Sequence, residues 1–468
     1  MSNFAPLPPH PGQQVQSELG RNVNDQDRSP MLEGFENGIP QKPAQRGIPQ
    51  QIFPTTQQPV VYPPPYNQKP LLQQVSQHQP YYAPQVNYYN PYVAVPSGWL
   101  PPQIFHTGVN TAKTVAVITG SLAALTLIII LALTALNFGA KGAIMSMFLA
   151  CFPLALVFGC LVWVGKWNSK PWGLRIAAFV WGGAGAVLLV LLTTTLVNKI
   201  LGAPTTELIS SSIQAPFIEE FSKGIAILVI ALFLRKNING PIDGIIYIAS
   251  IAAGFAFTEN ILYLSSSYAQ HGMQGITQTF FLRAVMSPFA HVVFSLPMGL
   301  MVGLARSRGL SRVKLILLWF AIYPLSVTLH GLWNASSTVL TSSESWFLFY
   351  GLLEFPLFAI AVVVVILLRV QEAKLTFRRL TEYGHAGWFT AMEVDTFATW
   401  AGRKNAMLWA KGKSPHAGEI MREITEGVVD LSYNREHIIR SNGNNELFQI
   451  EQKLLDKIIK NKNYLLTL

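Results

Sequence analysis

Between Lys113 and Arg369 the chain alternates apolar runs of ~20–27 residues with short polar connections, and each run is long enough to cross a bilayer. Backbone polar groups inside hydrocarbon must be satisfied within their own segment, which leaves helices as the structure for such runs. Eight spans are predicted, at about 113–136, 143–165, 172–197, 208–234, 242–267, 280–304, 314–340 and 345–368. Composition agrees, with 50% apolar residues, 12% charged residues and a mean hydropathy of +0.32. The expected fold class is an all-α polytopic membrane protein with about eight transmembrane helices, a disordered N-terminal region and a small helical C-terminal cytoplasmic region.

The net charge of +10 does not read as nucleic-acid binding, because the basic residues are spread between apolar runs and form no soluble basic module. They fall in every second connection: Lys166, Lys170 and Arg175; Arg235 and Lys236; Arg306, Arg308, Arg312 and Lys314; Arg369, Lys374, Arg378 and Arg379. The other connections hold little beyond Lys141, Lys199 and Arg283. The positive-inside rule then puts both termini in the cytoplasm of a multi-pass cell-membrane protein.

Three regions are expected. Twenty of the 30 prolines precede residue 103, interleaved with Gln, Asn and Tyr, so residues 1–110 are predicted to be a disordered cytoplasmic segment without a signal peptide. Its "PPPY" (Pro63 to Tyr66) resembles a ligand of proline-binding modules, although the composition alone accounts for it. Residues 111–369 hold the eight spans. Residues 370–468 have mixed charge and helical periodicity, predicting a cytoplasmic helical domain whose last helix buries Leu447, Ile450, Leu454 and Ile458. No partner is assigned to either tail. Cys151 and Cys160 lie nine positions apart in one apolar run and read as packing residues.

Polar residues interrupt four spans. Span four carries Glu219, Glu220 and Lys223; span five, Glu259 and Asn260; span six, His291; and span seven, His330 and Asn334. An ionised group at mid-membrane costs about 2.5–3.5 kcal/mol on insertion scales, so a set this large needs a reason. At a rise of ~1.5 Å per residue, Glu219 lies ~16 Å from the outer end of its span, Glu259 ~12 Å, His291 ~16 Å and His330 ~15 Å. The four converge near one level. Glu219 and Lys223 share a helix face, as do His330 and Asn334.

Blander accounts exist for each residue taken singly. Glu219 with Lys223 could be a buried ion pair that fixes helix register, His330 a satisfied structural histidine, and Asn260 and Asn334 interhelical hydrogen-bonders. Three carboxylates against one lysine favour a site, in which a proton is shared or a cation is held. Pro288 is expected to kink span six beside His291. "GGAGA" (Gly182 to Ala186) lacks the strand and the Lys-Ser/Thr of a phosphate loop and reads as close helix packing. Neither HExxH nor GxSxG occurs, and Asp243 is the sole aspartate in a span, so an aspartyl dyad is excluded.

"EEFSK" (Glu219 to Lys223), "FAFTEN" (Phe255 to Asn260), the histidine of "HVVFS" and "HGLWN" (His330 to Asn334) resemble the PrsW family of intramembrane metalloproteases. That family is related to the CAAX prenyl proteases and bacteriocin-processing homologues. The resemblance covers about residues 115–368. Where CAAX relatives have EExxxR and FxxxH, this chain has a lysine one residue earlier, and Phe255 with Glu259, as is usual for PrsW.

The resemblance implies hydrolysis of peptide bonds in single-span or membrane-associated protein substrates, at or near the outer face of the bilayer, as the first cut of an anti-sigma-factor type of cascade. It implies that a glutamate of the pair, with His291, activates water, and that His330 with Asn334 stabilises the oxyanion. Glu259 would orient that water or bind a cation, and Lys223 and Asn260 would support the site. His291, His330 and Glu259 would suit Zn2+. Two alternatives remain at this point. One is a non-catalytic membrane scaffold, against which the double glutamate argues. The other is a proton-coupled transporter, against which the lack of an internal repeat argues.

Overall fold

The structure is a computed structural model that describes residues 111–166, 172–204, 206–340, 342–440 and 445–468. The disorder expected for residues 1–110 lies outside the described residues. Among those described the chain is helical and contains no strand. They group into two units, one of residues 111–372 with 429–448 and the other of 373–428 with 449–468.

In the first unit, α1 (Thr111–Phe138) and α2 (Ala140–Val164) are followed by α3 (Trp172–Leu201), which contains a π-helical turn at Trp181–Ala186. A second π turn, Ser210–Gln214, leads into α4 (Ala215–Phe233). Next come α5 (Pro241–Phe280), α6 (Ala290–Ser307), α7 (Arg312–Val339) and α8 (Ser343–His385), the last with a π turn at Tyr350–Glu354.

Five helical stretches are long and apolar enough to cross a membrane: Ala140–Val164, Trp172–Leu201, Pro241–Ser307, Arg312–Val339 and Ser343–His385. The expected eight is not reached on that criterion. Helix α1 runs Thr111–Phe138 and enters the count only through its stretch Leu125–Phe138. The helix α4 carries Glu219, Glu220 and Lys223 within 19 residues. The stretch Pro241–Ser307 holds 67 residues, ~100 Å of helix rise, which is far more than one crossing. It breaks at Gly272, whose φ of 60° and ψ of −143° leave the helical region, and again at Ser287–Phe289, where Pro288 sits just before His291. The predicted spans five and six both fall inside it.

Helix α5 is central to this unit and packs against α2, α3 and α6. Small residues allow the approach. A Cβ on Gly182, in the π turn of α3, would lie 1.8 Å from the carbonyl oxygen of Ile251, and one on Gly254 would lie 2.0 Å from that of Phe179. One on Gly244 would lie 2.1 Å from the carbonyl oxygen of Gly299 across the α5–α6 crossing. Close packing is therefore the role of the "GGAGA" stretch. The fully buried Trp319 of α7 lies with Ile227 of α4, Ile251 of α5 and Met298 of α6 in one apolar cluster.

Residues 429–448 group with these helices and not with the rest of the tail. Asn239 Nδ2 donates to Asp430 Oδ1 at 2.8 Å, and Tyr433 lies against Gly240, where a Cβ would meet its hydroxyl at 2.4 Å. The second unit contains the end of α8 from residue 373, α9 (Ala391–Ala398), α10 (Trp400–Lys413) and parts of α11 (Pro415–Arg440) and α12 (Asn445–Leu466). The stripe that α12 buries is Glu451, Leu455, Ile458 and Ile459; the expected Leu447, Ile450 and Leu454 are only half-buried at its border. The buried Tyr383 hydroxyl donates to the Glu451 carboxylate, which draws a polar residue into a face that hydrophobicity assigns to its neighbours.

Candidate functional site

Helices α4, α5, α6 and α7 bring the expected polar residues together. Glu220 has no exposed surface, and both of its oxygens are occupied. Oε1 accepts from Lys223 Nζ, one turn along α4, and from His330 Nδ1 of α7 at 2.9 Å. Oε2 accepts from Ser295 Oγ of α6 at 2.6 Å. With Nδ1 donating, His330 presents the lone pair of Nε2, and its ring is fixed by stacking on Phe294 at 4.9 Å.

Glu219, its neighbour, is in a different state. Its Oε2 is buried without a hydrogen-bond partner and lies 3.7 Å from His330 Nε2. An unsatisfied buried carboxylate oxygen is costly in a structure otherwise well paired, and it calls for a water, a proton or a cation.

His291 has a carboxylate of its own. Its Nε2 lies 2.6 Å from Glu259 Oε2, and its Nδ1 is 3.4 Å from Lys223 Nζ, which also sits 4.6 Å from the centre of the Phe255 ring. Glu259 Oε2 is shared with Arg283 Nη2 at 2.5 Å, while Arg283 Nε donates to Asn260 Oδ1 at 2.6 Å. The guanidinium covers Tyr263 at 4.3 Å. The two imidazoles stand 5.2 Å apart. Glu220–His330 and Glu259–His291 thus form two carboxylate–histidine pairs beside Glu219.

Three carboxylates face two fixed cations, Lys223 and Arg283, so one negative charge is left over when both histidines are neutral. Glu219 holds the unpaired oxygen, so the proton or cation that balances the set belongs there. Glu219, His291 and His330 each offer a ligand atom, and these atoms lie within 4.8 Å of one another. This regroups the expected set of His291, His330 and Glu259, because Arg283 holds Glu259 in a separate ion pair. The donors suit a divalent ion such as zinc: two nitrogens and a carboxylate, with each histidine backed by a second carboxylate.

Asn334 is half-buried on the wall of the same cleft, and its Nδ2 donates to the carbonyl of Ser211 at 2.8 Å. This bond ties α7 to the π turn before α4. The cleft between Glu259, Arg283, His291, His330 and Trp333 has a cavity volume of about 30 Å³.

Arg283 and Ser295 are site residues that sequence reasoning missed. Arg283 stands out as the single charged residue in "TFFLRAVMSP", and Ser295 lies one turn after His291 on the same helix face. Glu354, in the last apolar run, also escaped the count of intramembrane carboxylates.

Fold and site together define a multi-pass helical membrane protein with a buried glutamate–histidine centre. Comparison with known proteins places it further. Residues 170–368 match the family described as PrsW family intramembrane metalloprotease. Protease PrsW of Clostridioides difficile (strain 630) is 32% identical over 161 residues, covering 34% of this chain and 65% of that protein. Protease PrsW of Bacillus subtilis (strain 168) is 33% identical over 149 residues, 32% of this chain and 61% of that protein. Protease PrsW of Geobacillus kaustophilus (strain HTA426) is 28% identical over 210 residues, 45% and 83%. The chain thus spans less than two thirds of the length of the first two relatives. No solved structure matches it. Through residues 170–368 the chain is thus similar to the PrsW family.

Proposed function

We propose that the chain is an intramembrane endopeptidase that hydrolyses peptide bonds of single-span or membrane-associated proteins at the cleft lined by α5, α6 and α7. The observation that carries this reading is the unpartnered Glu219 Oε2 facing the Nε2 lone pair of His330.

The two adjacent glutamates divide the work. Glu220 is saturated by Lys223, His330 and Ser295, so it positions and does not accept a further proton. Glu219 has the free oxygen. A water bound there loses a proton to Glu219 as its oxygen attacks the scissile carbonyl carbon, and Glu219 returns that proton to the departing amine as the C–N bond breaks. The His330 imidazole is held by Glu220 and by stacking on Phe294, so it reorganises little during the transfer. The oxyanion is met by the side-chain amide of Asn334, which lines the cleft. His330 is a poorer donor than the sequence implied, because its Nδ1–H is committed to Glu220. Arg283 and Glu259 orient His291 at the other wall.

Glu219, His291 and His330 would hold a divalent ion, and such an ion supplies carbonyl polarisation and a more acidic water. Charge alternation supports a cytoplasmic location for residues 1–110 and 370–468, and a cleft opening toward the outer face. The resemblance supports a first cut in a regulated cascade.

The test is cleavage of a panel of fluorogenic single-span peptides by the purified full chain in detergent, with Glu219→Gln as control. Cleavage that the control lacks is expected. A chelator that stops it, with recovery on adding zinc, assigns the ion; indifference to the chelator leaves the water on Glu219 alone. An active Glu219→Gln protein would overturn the reading.

A further inference from the structure

A second, larger cleft of about 280 Å³ opens directly beside the first. Ser287, Pro288, Ala290 and Trp333 line both, so the two share a wall one residue from His291. Its surface is apolar, with the rings of Phe289 and Phe358 5.4 Å apart, and one charged residue lines it, Glu354 of α8.

Glu354 is 8% exposed, and its Oε1 has no hydrogen-bond partner. The hydroxyl nearest along the helix, that of Tyr350, is spent on the carbonyl of Met286 at 2.7 Å. No lysine, arginine or histidine lines the cleft. The residue also closes the π turn Tyr350–Glu354, an irregularity of a kind found often at functional sites. Its level matches the catalytic one. Glu354 is eleven residues, ~16 Å, from the start of α8, and His330 is nine residues, ~14 Å, from the adjacent end of α7.

An acid in an apolar cleft inside the membrane, without a cation from the protein, is complementary to a ligand that brings one on an apolar stem. We propose that this cleft is a substrate subsite that receives a lysine or arginine side chain flanking the scissile bond, its stem between Phe289 and Phe358 and its head on Glu354. The proposal rests on the protease reading for the words "substrate" and "scissile". Its binding content does not.

The experiment uses the full chain in detergent and a set of fluorescently labelled single-span peptides, identical except that lysine or norleucine occupies successive positions. Binding is read by anisotropy on uncleaved peptide, and cleavage is read separately. At one position the lysine peptide should bind at least about tenfold more tightly than the norleucine peptide, as a charge-assisted hydrogen bond requires. Glu354→Gln should bring that ratio to about one, and Glu354→Asp, which keeps the charge, should retain a preference. Equal binding of the two peptides, binding of neither, or a lysine preference that survives Glu354→Gln overturns the subsite. Lysine preference without cleavage sinks the protease reading and leaves the subsite standing; cleavage without a Glu354-dependent preference does the reverse.

Discussion

Glu219 and Glu220 are adjacent in the chain and chemically identical, yet their surroundings assign them separate tasks. Glu220 shares its oxygens among an ammonium, an imidazole and a hydroxyl, whereas Glu219 keeps one oxygen bare. Glu219→Gln is therefore expected to lower the cleavage rate by about 10²–10⁴-fold, the usual contribution of a general base, with thermal unfolding in detergent unchanged. Glu220→Gln should instead lower stability by about 3–5 kcal/mol, because Lys223 is fully buried and loses its counter-charge. Measuring both quantities on both variants checks the division, and a Glu220→Gln protein as stable as the parent would refute it. Most of the residues concerned were legible as intramembrane polar groups on separate apolar runs. Which oxygen was left free was not, since that depends on Ser295 and His330 arriving from other helices.

The helices meet through glycine. With a Cβ only 1.8 Å from the Ile251 carbonyl, Gly182→Ala cannot be accommodated without moving α3 away from α5. A loss of about 1–3 kcal/mol is expected, and the movement should also disturb Glu259, two turns along α5 from Ile251. Gly159→Ala in α2, where nothing lies within 4 Å of the added carbon, is the matched control and should change stability by less than about 0.5 kcal/mol. Thermal unfolding of the two proteins side by side decides the matter, and equal midpoints would mean that the crossing is slack. Packing at "GGAGA" was readable from its small residues, but its π turn was not. A π turn adds a residue to the ladder, turning everything after it by about 100° relative to a regular helix, and the apolar runs around it look the same either way.

The chain as a whole is oriented by where its basic residues lie. A reporter active only outside the cytoplasm should be silent when fused after Arg379 and active when inserted at the Gly272 break of α5. The opposite pattern would invert the protein in the membrane and move the cleft to the cytoplasmic half, while leaving its internal geometry intact. Run lengths, the alternation of basic connections and the presence of Glu219, Glu220, Glu259, His291 and His330 at one depth are local or one-dimensional properties. They can be counted along the chain, and the helical membrane class and the resemblance to the PrsW family came with them. Partnership is a property of how each helix is rotated and where it breaks. Arg283 was expected as an isolated charge in an outer connection, and it pairs with Glu259; Glu259 was expected on a metal with the histidines, whereas the ligand atoms within 4.8 Å of one another are those of Glu219, His291 and His330. Glu354 became visible only when α8 closed a cleft against the residues before α6. Hydropathy is blind to these choices because ion pairs and hydrogen bonds act over a few ångströms between side chains far apart in sequence, and the packing of α4 to α8 alone sets those distances.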